Sequence, residues 1–322
     1  MDTALCNKTN ISASASCSME SSAEKLVYPT VYSLFFIVGF PANCLSLYVA
    51  WMLMRNGNNM AVYLVNLSIS DLLYTITLPV WIKLALRRPV GGLCSVVAVI
   101  MYNSFYVGSG LLCCISADRY LAVVYPLHFH RVREVRTAAL VSIAVWTLEI
   151  VIHIVLLNHT GALQAFSSRK LCQELGPMTQ EDASLAVTRV TLGFLVPVFI
   201  MTFCFQQIMR SLRQSTTILT EERRKVGLLL FFLLLTYIVA FLPYQTVMLL
   251  RAVLEPRAQP PAAKLTDPYL VTVAMTTINS VLDPIIYCLI SESARREIRK
   301  ALEKCWGVFV RRNLSKGIQS VS

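Results

Sequence analysis

Long apolar stretches dominate this chain, and short polar segments separate them. A membrane-spanning helix needs roughly 20 mostly apolar residues. Backbone groups in lipid must find their hydrogen bonds within the segment, so such spans are helices. The pattern predicts seven spans, at about residues 26–54, 60–86, 92–125, 137–158, 184–212, 224–253 and 268–290. The third, fifth and sixth are longer than a bilayer needs, so we expect them to tilt or to extend beyond it.

The two ends of the chain have different patterns. Residues 1–25 are polar and serine-rich, and they lack the apolar core of a cleavable signal peptide. Residues 292–305 alternate charged side chains with Ala, Ile and Leu at helical spacing, which predicts an amphipathic helix on the inner membrane surface. We therefore predict an all-α membrane protein with three parts: an extracellular tail (1–25), a seven-helix domain (26–290), and a cytoplasmic eighth helix with its tail (291–322).

The distribution of basic residues predicts the orientation in the membrane. The formal net charge is +11. Most of the Lys and Arg residues fall on the cytoplasmic side if the N-terminus is outside, as the positive-inside rule requires. Glycosylation motifs at Asn7, Asn10 and Asn158 then face the outside. We predict a multi-pass plasma-membrane protein with an extracellular N-terminus, and the charge gives no reason to expect nucleic-acid binding.

The ten cysteines do not form a regular disulfide framework. Five of them fall within spans and are typical of small apolar packing groups: Cys44, Cys113, Cys114, Cys204 and Cys288. Cys94 and Cys172 lie in outer segments, an oxidising compartment, and we expect them to pair. Cys6 and Cys17 are also outside and could pair with each other. Cys305 follows the amphipathic segment and is a candidate palmitoylation site.

Three acidic residues interrupt apolar stretches: Asp71, Glu149 and Asp283. An ionisable group at membrane depth is costly and faces the bundle interior, so each is a candidate functional residue. Burial disfavours a charged carboxylate, and two carboxylates that share a site do not readily ionise together. These three residues are therefore candidates for binding protons.

Several short motifs point to one protein class. Asp118-Arg119-Tyr120 ends the third span, and Asp283-Pro284-Ile-Ile-Tyr287 lies in the seventh. The pattern is completed by Asn43, Trp146, Pro197 and Pro243. Over about residues 26–305 the chain resembles a rhodopsin-like (class A) G-protein-coupled receptor.

Within that class the chain most resembles the proton-sensing subgroup, which includes the psychosine (T-cell death-associated) receptor. The shared segments include GFPANCLSLY (39–48), CCISADRYLAVVYPLHF (113–129) and Trp146-Thr-Leu-Glu149. In that subgroup the counterparts of Asp71, Glu149 and Asp283 are regarded as a buried acidic triad coupled to pH sensing. The resemblance implies a receptor that extracellular protons activate and that signals through a heterotrimeric G protein.

The resemblance also assigns roles to other residues. A switch for G-protein activation would comprise Asp118, Arg119, Tyr120, Pro243, Pro284 and Tyr287. We expect Arg119 to pair with Asp118 at rest. His153 and His159 lie near the outer side and join the proton-sensing set. The relatives carry more extracellular histidines, and Gln245 stands where they have one, which disfavours a mechanism based on histidine alone.

Other functions remain open from the sequence. Arg189, Arg251 and Lys83, with Gln245, could form a pocket for the anionic head group of a lysophospholipid or an oxidised fatty acid. Alternatively, these basic residues could pair with outer acids such as Glu255. Intramembrane acids would also suit a proton-coupled transporter or channel. We expect no enzyme and no cofactor, because no nucleophile–base pattern or cofactor motif is present, and the Cys and His spacings predict no metal site.

Overall fold

The computed structural model describes residues 11–86, 88, 90, 93–126, 128–129, 133–159, 178, 180–214, 220–257, 265–301 and 303. Its helices are α1 (Ile11–Arg55), α2 (Asn59–Ala85), α3 (Leu93–Val124), α4 (Val135–His159), α5 (Gln180–Val190), α6 (Val196–Gln214), α7 (Thr220–Leu254), α8 (Thr266–Ile290) and α9 (292–301). A π-helical turn, Thr191–Leu195, joins α5 to α6, and a 3-10 turn, Glu255–Arg257, follows α7.

Seven of these helical segments are long and apolar enough to cross a membrane, which confirms the predicted seven-helix class. Span five comprises α5, the π turn and α6. The spans are Val27–Arg55, Asn59–Leu84, Val96–Val124, Val135–Val155, Ala183–Arg213, Arg224–Leu254 and Pro268–Ile290. The structure differs from the prediction in the N-terminal tail, where helix α1 already begins at Ile11. That segment contains Ala, Met and Glu, which favour helix, so the helix of span one continues into it.

Packing places span three at the centre of the bundle. It contacts spans two, four, five and six, while span one packs against spans two and seven, and span six packs against span seven. The apolar core that these contacts bury includes Leu111, Leu112, Ile115, Leu230 and Tyr237. Spans two, three and seven have the largest buried shares of the seven, so their inward-facing polar residues have little access to lipid.

Span five changes its helical geometry next to Pro197. A proline has no N–H, so Pro197 cannot form the α-helical hydrogen bond to the carbonyl of Gly193. The chain adopts the π-helical turn Thr191–Leu195 here, and the N–H of Val196 bonds to the carbonyl of Thr191. The hydroxyl of Tyr237, in span six, lies 2.9 Å from the Gly193 carbonyl. Proline thus leaves a carbonyl available for a contact between spans.

The predicted amphipathic helix after span seven is present as α9. It begins after Ser291, whose Oγ accepts a hydrogen bond from the N–H of Ala294 at 3.3 Å. Ala294 and Glu297 are buried on its inner face, whereas Arg295 and Arg296 are exposed. This capped turn starts α9 directly after the seventh span.

Candidate functional site

Two of the three predicted acids lie together in the middle of the bundle. Asp71 in span two is 5% exposed, and Asp283 in span seven is 2% exposed. The two carboxyl groups are close enough for a direct electrostatic interaction. Asn279 Nδ2 donates to Asp283 Oδ2 at 2.7 Å, and Ser280 lies close to Asp71. We call Asp71, Asp283 and the amides of Asn43 and Asn279 the central acidic site.

The central acidic site has more acceptors than donors. Asn43 uses its amide N–H groups on the carbonyls of Ser280, at 2.8 Å, and Gly39, at 3.1 Å. Four buried side-chain oxygens find no donor within the described part of the chain: Asn43 Oδ1, Asp71 Oδ2, Asn279 Oδ1 and Asp283 Oδ1. A buried acceptor without a donor is costly. A protonated carboxyl gains an O–H donor, so protons at Asp71 or Asp283 would reduce both the charge and the shortage of donors.

Glu149, the third predicted acid, does not belong to the central acidic site. It lies in span four and lines a cleft between spans three, four and five, together with His153 and Arg189. His153 is 6% exposed and lies within electrostatic reach of Arg189. The ring of Tyr102 is 6.4 Å from the His153 ring and 5.5 Å from the guanidinium carbon of Arg189. The predicted triad is therefore divided between two places in the bundle.

At the cytoplasmic end, Arg119 forms an ion pair with Asp118. Arg119 Nε donates to Asp118 Oδ2 at 3.1 Å, and an Nη donates to the same oxygen. Asn59 donates to the other carboxylate oxygen, and Arg133 lies 3.8 Å from it. This is the pairing that we expected at rest. Tyr120 packs against Tyr125 and Phe203, while Pro243, Pro284 and the buried Tyr287 lie in spans six and seven.

Neither of the two cavities described in this part of the bundle is lined by all four residues of the predicted lipid pocket. Arg251 is buried at the outer end of span six, where its Nε donates to Glu255 at 2.7 Å and its guanidinium lies 4.6 Å from the ring centre of Tyr269. Arg189 lies in the cleft between spans three, four and five. Lys83 is exposed at the end of span two. Gln245 faces a small cavity between spans three, five and six.

Other predicted sites fall outside the described residues or side chains. Asn7, Asn10, Cys172 and Cys305 lie outside the described residues, and the side chains of Cys94, Asn158 and His159 are likewise outside the description. The disulfide, the glycosylation sites and the palmitoylation site therefore remain predictions. So does the part assigned to His159.

Some functional contacts were not predicted from the sequence. Tyr237 is fully buried, and its hydroxyl lies 2.9 Å from Ser109 Oγ as well as from the Gly193 carbonyl, so it connects spans six, three and five. Lys225, at the inner end of span six, pairs with Glu292 at the start of α9. A tyrosine in an apolar run gives no signal of its partners, and Lys225 and Glu292 are far apart in sequence.

Comparison with known proteins agrees with the fold and the motifs. Residues 42–287 match the family of 7 transmembrane receptors (rhodopsin family). The chain therefore belongs to the rhodopsin family of seven-transmembrane receptors, a class of integral membrane proteins that couple to G proteins. The family confirms the receptor class that the Asp118-Arg119-Tyr120 and Asp283-Pro284 motifs predicted.

Individual receptors are similar over nearly the whole chain. G-protein coupled receptor 68 of Mus musculus is 33% identical over 307 residues, covering 94% of this chain and 84% of that protein. G-protein coupled receptor 65 of Homo sapiens is 32% identical over 295 residues, covering 87% and 88%. "Probable G-protein coupled receptor 132" of Homo sapiens is 33% identical, covering 88% and 75%. These relatives confirm the group of receptors that the motifs indicated.

Proposed function

We propose that this chain is a plasma-membrane receptor that extracellular protons activate and that signals through a heterotrimeric G protein. The observation that carries the proposal is the central acidic site. Two neighbouring buried carboxyl groups lie in this site, and one oxygen of each, with the amide oxygens of Asn43 and Asn279, has no donor among the described residues. Similarity to G-protein coupled receptors 68 and 65 supports the same function.

Protons act on such a receptor by population shift. A proton stabilises whichever conformation binds it more tightly, and it biases the receptor toward that conformation. When Asp71 and Asp283 are both charged, the pair is repulsive and several acceptors face one another. Each added proton removes one negative charge and supplies one donor. Acidification therefore stabilises most the conformation in which these oxygens lie closest together.

Buried hydroxyl groups lie next to the central acidic site, toward one end of spans two and seven. Thr75 donates to the backbone carbonyl of Asp71 at 2.6 Å, and the hydroxyls of Tyr74 and Thr277 lie 2.6 Å apart. Thr272, one turn or more beyond, is also buried. With the N-terminus outside, these groups lie on the extracellular side of the acids. They make the bundle interior polar on the side from which an extracellular proton would come.

The second candidate function, a receptor for a lipid head group held jointly by Arg189 and Arg251, has less support. Arg251 is engaged by Glu255 and Tyr269, and the cleft that Arg189 lines is not lined by Arg251. A proton-coupled transporter is disfavoured by membership of the receptor family. The same membership gives no reason to expect enzymatic activity.

The proposal is tested by recording cyclic AMP, inositol phosphate and Rho reporters in cells that express the receptor, against untransfected cells. The external pH is varied between about 6 and 8, where a receptor-dependent rise on acidification is expected. Output that stays flat across this range, at verified surface expression, would contradict proton sensing. A proton current in whole-cell recordings would instead favour a transporter.

A further inference from the structure

Asp118, at the inner end of span three, has a second cation beside it in addition to Arg119. The side chain of Asp118 is 5% exposed, and Arg119 donates to its Oδ2. The other oxygen, Oδ1, accepts a hydrogen bond from Asn59 of span two and lies 3.8 Å from Arg133 Nε. Arg133 lies in the segment that joins spans three and four. One buried carboxylate is thus contacted from three parts of the chain.

The guanidinium of Arg133 has an unused donor. Its Nε is buried and forms no hydrogen bond within the described part of the chain. At 3.8 Å this nitrogen is too far from Asp118 Oδ1 for a hydrogen bond but close enough for an ion pair. A buried donor without an acceptor is costly. A small movement of Arg133 toward Asp118 would convert the contact into a charge-assisted hydrogen bond, which is shorter and stronger.

A turn in the inner loop places Arg133 beside span three. The N–H of Arg133 donates to the carbonyl of Phe129 at 3.3 Å. Phe129 has a φ of 58°, in the left-handed region that residues other than glycine seldom adopt. Its ring centre lies 5.9 Å from that of Tyr125, which in turn lies 5.7 Å from that of Tyr120. The turn that positions Arg133 is therefore packed against the Asp118-Arg119-Tyr120 motif.

The start of span four does not by itself favour a cation at Arg133. The N-terminus of a helix carries a partial positive charge, which opposes a neighbouring cation. Arg133 lies two residues before Val135, where α4 begins, and only 26% of its side chain is exposed. Among the described residues, the acid within ion-pair distance of Arg133 is Asp118. The cation therefore acts on Asp118.

We propose that Arg133 is a positioning residue of the G-protein switch, which holds Asp118 when Arg119 leaves it. When Arg119 turns toward the G protein, Asp118 loses both donors at Oδ2 and stays buried. Breaking a buried ion pair in this way is strongly destabilising. Arg133 lies at the other oxygen, and its approach restores an ion pair. Arg133 thus stabilises the active state relative to the resting state. The inference rests on the proposed coupling to a G protein.

Nucleotide exchange by purified G proteins tests this role. The full-length receptor in phosphatidylcholine nanodiscs is mixed with G proteins of the s, i, q and 12/13 classes, and GTPγS binding is measured at about pH 6. Arg133→Gln should slow exchange about tenfold, as expected for loss of a hydrogen bond to a charged group. Arg133→Lys, which keeps the cation, should retain more of the rate. Arg136→Gln makes the same change at an exposed position of span four and should leave the rate as in the wild type. Thermal unfolding confirms that each variant is folded.

A double-variant cycle separates a role through Asp118 from a direct contact with the G protein. Asp118→Asn removes the charge that Arg133 compensates, so adding Arg133→Gln to it should cause no further loss of exchange. Exchange that is unchanged or faster in Arg133→Gln alone, or an equal loss with and without Asp118→Asn, would overturn the role of Arg133. Absence of exchange with every G protein in the wild type would instead overturn the proposed coupling, and this inference with it.

Discussion

Two buried acidic groups in this receptor have opposite surroundings. At the outer end of span six, both oxygens of Glu255 have donors: Arg251 Nε at 2.7 Å from one, and Arg251 Nη2 at 3.2 Å and the N–H of Met178 at 2.9 Å from the other. In the central acidic site, Asp283 has one donor, Asn279, for one oxygen and none from the described residues for the other. Asp71 likewise keeps one oxygen without a donor there.

This difference separates structural acids from acids that can exchange a proton. A carboxylate with a complete set of donors and a paired cation gains nothing from a proton and loses an ion pair. A carboxylate beside another carboxylate gains relief of charge repulsion and a new donor. We therefore assign Arg251 and Glu255 to holding the outer ends of spans together, and Asp71 and Asp283 to the response to pH.

The largest expected effect comes from breaking the ion pair between Arg251 and Glu255. Arg251→Leu leaves Glu255 buried without its cation, which should cost about 3–5 kcal/mol of stability. Thermal unfolding of the purified receptor and its surface expression measure the loss. The double variant Arg251→Leu, Glu255→Leu should recover much of it, because no uncompensated charge remains. If the double variant were as unstable as the single one, the charge would not be the cause.

Removing one acid from the central acidic site should narrow the pH response without abolishing it. Moving a two-state equilibrium from 1:99 to 99:1 takes about 5.5 kcal/mol. A site whose pKa differs by one unit between the two states supplies about 1.4 kcal/mol. Asp71→Asn and Asp283→Asn should therefore each reduce the steepness and span of the G-protein response. Glu149→Gln provides the comparison for an acid outside the site, and equal effects at all three positions would argue against a central pair.

Removing the donor of Asp283 should move the midpoint of the pH response, whereas removing the acid should reduce its steepness and span. Asn279 Nδ2 donates to the charged form of Asp283, so Asn279→Ala favours the protonated form. The midpoint of the pH response should move to higher pH by about one unit, as expected for a hydrogen bond to a charged group. Asn66→Ala is the matched control, since Asn66 accepts from Trp146 Nε1 at 3.1 Å, away from the acids. A midpoint that moves equally in both variants would contradict the assignment.

The smallest effect is expected at the inner side, where Lys225 pairs with Glu292. Lys225 lowers the pKa of Glu292, so the pair contributes above the ordinary carboxyl pKa and is lost only as pH falls through the lowered value. The cytosol stays near neutral when the outside is acidified, so Glu292 stays charged. Glu292→Gln should raise basal output modestly, with no change in the external pH midpoint.

Exchanging the two charges provides the control for this inner pair. Lys225→Glu with Glu292→Lys should return basal output toward the wild-type level, although Arg296, which lies 3.7 Å from Glu292, will oppose a lysine there. A midpoint shift in Glu292→Gln would contradict a role confined to the inner side.

The fold could be predicted because its main signal is local in sequence. Each span is a long and mostly apolar segment, and the lipid solvent permits only helices there. Asp71 and Asp283 could also be identified from the sequence as candidate functional residues. An acid within an apolar stretch is unusual whatever residues it contacts. The amphipathic spacing of residues 292–301 likewise predicted α9.

Partners that depend on packing could not be predicted. Glu149 was grouped with the central acids from the resemblance, yet span four places it with His153 and Arg189. Arg251 and Glu255 are four residues apart, and this spacing favours one of the two alternatives drawn from the sequence, in which the arginine pairs with an outer acid. The contact of Tyr237 with Ser109 had no such signal, because it depends on how spans three and six meet.

Infrared difference spectroscopy on the purified receptor tests the central claim most directly, because a protonated carboxyl has its own C=O stretch. As the pH falls from about 8 to about 6, a band of protonated carboxyl should appear in the wild type. With Glu149→Gln present throughout, the band should be lost in the Asp71→Asn, Asp283→Asn variant and kept in the Arg251→Leu, Glu255→Leu variant. A band that persists in the first variant, or disappears in the second, would show that the proton binds elsewhere.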